Sequence, residues 1–284
     1  MDERGLGQQI QSMRKAAGLT QQALCQKANI SFSTLTKIER GAIKAPSIFT
    51  IQSVAQALEL SLDALLGNAG ASRAASRVLH KTKSGISFVY FDVNDCLVRF
   101  YQRAFAHIAQ DYDVPADVVE TAHWHYTDDT CRGRISLEDF NKAMAQRMGV
   151  EGSVDWASYY LEAAEGNEDM HQLVRWAAER YRVGLLTNVM PGILGQLRQL
   201  GKVPNVAYDA IIDSSEIGMI KPELAIFQHA QVEAGVPPEE ILFIDDTKSN
   251  LTAAETLGWH VVQFDYANPV ESVEKIRSML EPAA

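Results

Sequence analysis

Four apolar runs in this 284-residue chain end on side chains that can do chemistry. Residues 86–91 lead into Asp92, in FVYFDVNDCLV. Residues 183–186 lead into Thr187-Asn188, in VGLLTN. Residues 210–213 lead through SSEIGMI to Lys221-Pro222, and residues 241–244 lead into Asp245-Asp246, in ILFIDDTKSNLTAAETLGW. A carboxylate can attack phosphorus, a hydroxyl and an ammonium can hold an anion, and a carboxylate pair can hold a divalent cation. Together these groups would surround one phosphate and one metal ion. Singly, an Asp-Asp or Lys-Pro pair is usually a turn or a helix start; the chemistry rests on all four standing at equivalent strand ends.

Short apolar runs that end on polar residues and alternate with helical segments predict buried parallel strands. Open α/β sheets place their sites at the carboxyl ends of such strands. These four segments, in this order, resemble the haloacid dehalogenase superfamily of phosphotransferases over about residues 84–284. The resemblance implies a Rossmann-like parallel sheet flanked by helices. It also implies a small helical cap over about residues 99–180, of which RGRISLEDFNKAM looks like a segment. It makes Asp92 the nucleophile and a metal ligand, and Thr187 and Lys221 the phosphate binders, with Lys221 also offsetting the charge crowded at Asp92. Asp246 becomes a direct ligand of Mg2+, Asp245 its support from behind, and the carbonyl of Asn94 a further ligand. One position departs from the pattern. Phosphatases of this superfamily carry a second aspartate two residues after the nucleophile as general acid and base, and here that residue is Asn94. An amide cannot protonate a leaving alcohol, and loss of general acid–base help costs ~10²–10⁴ in rate. Asp95 is adjacent but should project differently, and Cys96 reads as packing. Other branches of the superfamily lack the second aspartate and do different chemistry, including dehalogenation. His123 and His125, near Asp128 and Asp129, allow a metal site in the cap, but a packed or solvated helix is the favoured reading. Trp124, Tyr126, Trp156, Tyr159 and Tyr160 read as cap core or as the wall of a substrate pocket.

The first 67 residues follow a different period. Leu6, Ile10 and Met13 predict an amphipathic helix closed by Gly18. Thr20 caps a second helix over residues 21–27, and Asn29 occupies a turn that needs a positive φ, which Asn tolerates. Ser31 caps a third helix over residues 32–40, ended by Gly41. Ser47 caps a fourth, carrying Ile51, Val54 and Leu58, and Ser61 a short fifth, carrying Leu62 and Leu65. LTQQALCQKANISFSTLTKIERG, with the trailing LSLDALL, resembles the Cro/C1-type helix-turn-helix family over residues 6–66. That family's third helix enters the major groove of double-stranded DNA, and the protein binds its operator as a dimer. Carried over by position, Gln21, Phe32, Ser33, Thr36 and Lys37 face the DNA. Phe32 departs from the polar residue usual there; it would either pack on a thymine methyl or mark a weak reader.

Charge divides the chain in the same place. Residues 1–67 carry seven Lys and Arg against five Asp and Glu, and residues 68–83 carry four basic residues and no acid. The remaining residues carry 15 basic and 31 acidic side chains, within a whole-chain net charge of −10. The first 83 residues could lie on a phosphate backbone, and the rest would be repelled by it. Residues 68–83, rich in Ala, Ser, Gly and basic residues, read as a linker. No apolar run approaches a membrane span, no signal-peptide core follows Met1, and the three cysteines are far apart, so the expected setting is cytoplasmic and reducing. The fold expected is an all-α helix-turn-helix domain followed by an α/β domain with a helical cap. Two functions follow. One is a dimeric transcriptional regulator whose second domain senses a phosphorylated ligand or dimerises; the other is a magnesium-dependent phosphatase or related hydrolase carrying a DNA-binding head.

Overall fold

The structure is a computed structural model, and it describes residues 3–43, 46–58, 65, 79–99 and 101–281. Lys44, most of the expected fifth helix and the larger part of the expected linker lie outside the described residues. The chain divides into two compact units, Met1–Arg77 and Val78–Ala284.

The first unit is helical: α1 (Glu3–Ala16), α2 (Gln21–Ala28), α3 (Phe32–Glu39) and α4 (Ile48–Ala57). Capping fixes their starts. The hydroxyls of Thr20, Ser31 and Ser47 each accept from the backbone N–H three residues on, at 3.1 Å, which satisfies a donor the helix cannot use. Asn29 between α2 and α3 has φ 51°, the left-handed turn its side chain tolerates. The inward residues predicted from spacing form the core, with Ile10, Leu24, Leu35, Ile38, Ile51, Val54 and Leu65 all buried. The Arg14 guanidinium and the Glu39 carboxylate are paired beneath this surface, at 2.7 Å and 3.2 Å.

The second unit holds a five-stranded parallel sheet of β1 (Phe88–Phe91), β4 (Arg182–Thr187), β5 (Ala210–Asp213), β6 (Ile241–Asp245) and β7 (His260–Gln263), in the order β5-β4-β1-β6-β7. Central strands buried on both faces have no polar side to show, which is why they read as continuous apolar runs. In β1, Phe88 and Tyr90 pack into one layer and Val89 and Phe91 into the other. The order reverses at β1, which pairs with both β4 and β6. The crevice beyond that switch point is where a parallel sheet binds its ligands.

Between β1 and β4 the chain leaves the sheet. A short pair of strands, β2 (Val98–Arg99) and β3 (Glu165–Gly166), runs antiparallel at the root of the excursion. Between them lie α5 (Tyr101–Tyr112), α6 (Ala116–Cys131), α7 (Leu137–Met148) and α8 (Trp156–Ala163), the cap. The helical segment expected to run to about residue 180 thus closes at β3. The next helix, α9 (Glu168–Ala178), packs on β4 and on α14 (Pro269–Met279) and belongs to the sheet's own layer. The remaining helices are α10 (Ile193–Gln199), α11 (Ser214–Ile217), α12 (Leu224–Ala234) and α13 (Lys248–Thr256). No described helix is long and apolar enough to cross a membrane.

Candidate phosphate and metal site, and candidate DNA interface

Parallel register brings the ends of β1, β4 and β6 level. Asp92 follows β1, Thr187 ends β4 and Asp245 ends β6, and all three are buried. Lys221, also buried, reaches in from the loop after α11; its Nζ stands 2.8 Å from Asp92 Oδ1 and 2.6 Å from Asp245 Oδ2. Burial alone would lower the lysine's pKa, but the two carboxylates outweigh it and hold the ammonium above its ordinary range. Asp92 is pushed the other way. Burial raises its pKa, the charges of Asp245 and Asp246 raise it further, and Lys221 opposes them. The site therefore has a surplus of negative charge, which a cation would relieve.

The donor set fits magnesium. Carboxylate oxygens of Asp92 and Asp246 and the Cys96 sulfur lie within 4.8 Å of one another. Burial and the neighbouring aspartates push the Cys96 thiol well above its ordinary range, so it stays protonated. A protonated sulfur is a poor ligand for a hard cation, which leaves the two carboxylates and backbone oxygen. Asp245 is held from three sides. Its oxygens accept from Lys221 Nζ, from the Thr247 backbone N–H at 2.8 Å and from Asn250 Nδ2 at 3.0 Å and 3.1 Å. So held, it fixes Lys221 behind Asp92.

Thr187 Oγ1 is fully buried at the mouth of the sheet and has no hydrogen-bond partner among the described residues. A buried polar atom without a partner is costly, and an oxyanion beside it would remove that cost.

Asn94 does something sequence reasoning did not foresee. Its Nδ2 donates to the carbonyl of Asn188 at 2.9 Å, and its Oδ1 accepts from the Tyr160 hydroxyl at 2.8 Å. Tyr160 belongs to α8 of the cap and Asn188 follows β4, so the amide bridges the cap and the sheet. A second tie joins Arg132, at the end of α6, to Glu223 through two hydrogen bonds. Asn188 clamps the Lys221 backbone, accepting from its N–H at 2.8 Å and donating to its carbonyl at 2.9 Å. Asn250 is a site residue that the sequence did not single out, though it stands in DDTKSN beside the motif carboxylates. Asn188 was read only as the neighbour of Thr187, and Tyr160 only as cap core or pocket wall; the hydrogen bonds they make were not legible.

Asp95 follows Asn94 in the same loop. It has φ 54° and lines a cavity of about 360 Å3 between cap and sheet. Burial and the nearby charge of Asp246 push its pKa up to about 6. His123 is buried in the cap among Phe105, Phe140 and Trp156, with ring centroids 4.1–5.6 Å away. His125 is exposed, and the two histidines form no ligand group with Asp128 or Asp129 among the described residues. The favoured reading of a packed cap helix fits this geometry.

In the first unit, Phe32, Ser33 and Lys37 are exposed on α3, whereas Thr36 and Gln21 are half-buried. Gln21 Nε2 donates to Glu39 Oε2 at 2.6 Å, so the donor end of its amide is used inside the domain. Of the five residues expected to face DNA, Phe32, Ser33 and Lys37 are the most exposed, and Gln21 also braces the Arg14–Glu39 pair.

A haloacid dehalogenase-like hydrolase family model matches residues 86–258, and a helix-turn-helix model matches residues 10–65. The chain belongs to the haloacid dehalogenase-like hydrolase family and carries a helix-turn-helix domain of the XRE type in front of it. A D-ribitol-5-phosphate phosphatase of Bacteroides thetaiotaomicron is 27% identical over 143 residues, 46% of this chain and 67% of that protein. The chain spans only 28% and 7% of two other curated relatives. The immunity repressor protein of Bacillus phage phi105 is 44% identical over 62 residues, 22% of this chain and 42% of the repressor. A haloacid dehalogenase family enzyme of Bacteroides thetaiotaomicron, solved with magnesium and inorganic phosphate, aligns with a TM-score of 0.55 at 20% identity, over 64% of this chain and 96% of that one. At that identity the likeness is one of fold.

Proposed function

We propose that this chain is a DNA-binding transcriptional regulator that binds its operator as a homodimer, and that its second unit binds a phosphorylated small molecule together with Mg2+. The observation that carries this reading is the contrast at Asn94. The groups that would hold an anion and a cation are all retained: Asp92, Thr187, Lys221 and Asp246. The position that would exchange protons is an amide engaged at both ends, by the Asn188 carbonyl and by the Tyr160 hydroxyl of the cap. Asp92, Asp246 and the Asn94 carbonyl would hold the ion, which would supply positive charge against the phosphate oxygens. Thr187 Oγ1 donates to a phosphate oxygen. Lys221, held in place by Asp245 and Asn188, neutralises a second. Phe32, Ser33 and Lys37 present the recognition helix to the major groove, and Lys37 adds a phosphate or guanine contact. The similarity to a phage repressor over the first domain supports the DNA-binding half of this reading.

The experiment is operator selection from a random DNA pool with the full chain, followed by affinity measurement with and without Mg2+ and phosphorylated metabolites. The expected result is one enriched sequence whose affinity changes when both are present. If neither additive shifts the melting temperature or the affinity, the ligand-binding half is wrong.

A second reading is supported by the intact nucleophile and by similarity to a sugar-alcohol phosphatase. In it, Asp92 attacks phosphorus, the ester oxygen leaves, and water then releases phosphate from the aspartyl group, with the leaving alkoxide protonated from solvent. Hydrolysis of p-nitrophenyl phosphate above background, lost in Asp92→Ala, would establish it over the first.

A further inference from the structure

Among the described residues, one group of His, Cys, Asp or Glu side chains is placed to share an ion. It is Asp92, Cys96 and Asp246, whose donor atoms lie within 4.8 Å of one another. Magnesium would use the two carboxylates and leave the sulfur idle. The chain nevertheless holds that sulfur in place. The loop turns at Asp95, where φ is 54°, and the Leu97 and Val98 N–H groups close it by donating to the Val93 carbonyl at 2.8 Å and 2.9 Å. That turn carries Cys96 back beside Asp92.

Each donor has room for an ion. Lys221 Nζ and the Val93 N–H both approach Asp92 at Oδ1, at 2.8 Å and 2.7 Å, which leaves Oδ2. Asp246 is half-buried and gives the group its way to solvent. Cys96 is a free thiol. Beside them Thr187 Oγ1 is buried with no hydrogen-bond partner among the described residues, a place for an oxyanion that would complete the ion's shell. Two carboxylates discriminate little among divalent cations, but a sulfur does. Thiolate selects zinc and softer ions over magnesium. The donors of a tetrahedral zinc stand about 3.5 Å apart, so this group closes on such an ion with a small contraction. As the metal–sulfur bond forms, the S–H proton passes to water, and the bound cation offsets the aspartates crowded around it.

We infer that this pocket also takes a thiophilic divalent cation, of the Zn2+ or Cd2+ class, through Asp92, Asp246 and Cys96, and that such an ion displaces Mg2+. This rests on the reading that Asp92 and Asp246 hold a cation, and it adds the metal that would regulate the site. An ion held by sulfur occupies the carboxylates that Mg2+ needs, so the second unit responds to a thiophilic metal by losing its magnesium.

The test is titration of the full, reduced chain with Cd2+ and Mg2+, read by calorimetry and by sulfur-to-cadmium charge-transfer absorption. One Cd2+ per chain should bind with that absorption and displace Mg2+. Cys96→Ser should remove the absorption and lower the ratio of Cd2+ to Mg2+ affinity at least about tenfold, since even the groups behind a metal's ligands are worth about 10–100-fold. Asp246→Asn, with Cys96 intact, should lose the absorption too. If Mg2+ binds and Cd2+ gives no such absorption, or if the absorption persists in either variant, the inference is overturned and the magnesium reading stands. If Cd2+ binds through Cys96 and Mg2+ does not bind, the magnesium reading falls and the sulfur-held ion is the site's own. If neither ion binds, the cation reading falls and takes the inference with it.

Discussion

Asn94 is one atom-pair away from the residue a phosphatase would place there, and that difference is testable by itself. In Asn94→Asp the carboxyl would face the Asn188 carbonyl, which today accepts from Nδ2. A carboxylate cannot sit against a carbonyl oxygen, so the new group would hold its proton and donate it, as a general acid must. Asn94→Asp should raise p-nitrophenyl phosphate hydrolysis by ~10²–10⁴ over the natural chain, and adding Asp92→Ala should abolish the gain. No gain would mean that the site has lost more than one residue. His123 makes a second residue-scale prediction. Burial holds its pKa at about 3 in the fold, against an ordinary value of 6.5. Between those values the unfolded chain takes up a proton that the folded chain refuses. Stability is therefore complete above pH 6.5 and falls as the pH drops, by roughly 2 kcal/mol at pH 5 for a ~1.4 kcal/mol-per-unit linkage. Denaturant melts of His123→Phe should show a flatter pH dependence across that window. An unchanged slope would place the ring's protonation elsewhere.

At the scale of elements, helix packing in the DNA-binding unit depends on one small residue. A Cβ on Gly7 would lie 2.3 Å from the Ile38 carbonyl oxygen, so α1 and α3 approach through a gap that only glycine leaves open. Backbone cannot yield as a flexible side chain can. Gly7→Ala should destabilise this unit by ~1–3 kcal/mol and weaken DNA binding, despite alanine's better helix propensity. Thermal melts of the variant measure it, and a raised melting temperature would contradict the packing. The cap obeys a parallel logic. It is rooted at the β2–β3 pair, fastened by Tyr160 and Arg132, and shares one apolar core with the sheet layer beneath it.

At the scale of the molecule, charge is segregated along the chain. The acidic remainder beyond residue 83 carries 31 Asp and Glu against 15 Lys and Arg, whereas the first 83 residues have a basic excess. DNA affinity should therefore fall steeply with salt, because phosphate neutralisation releases counterions. Lys37→Ala should weaken binding and reduce the slope of log affinity against log salt by about 1 per bound head if it contacts phosphate. If Lys37 reads a guanine instead, the operator preference relaxes at one position while the slope holds. Binding curves at several salt concentrations separate the two.

The sequence by itself determined the two-part organisation, the capped helices and the four strand ends, because each is written in local pattern. A hydroxyl cap acts three residues away, and a buried strand shows as an unbroken apolar run ending in a polar residue. The identities of Asp92, Thr187, Lys221 and Asp246 as one site were legible for the same reason: each ends, or closely follows, a strand of a single sheet. What the tertiary structure decided lies across large separations. Asn94 meets Tyr160, 66 residues away. Gln21 donates to Glu39, and Asp245 accepts from Lys221 and Asn250. A polar side chain's role depends on which partner reaches it first, and partners brought together by chain crossings leave no periodic trace in sequence. The strands and caps could be read in order along the chain, but the use of each amide and carboxylate was settled only when cap, sheet and loops closed around it.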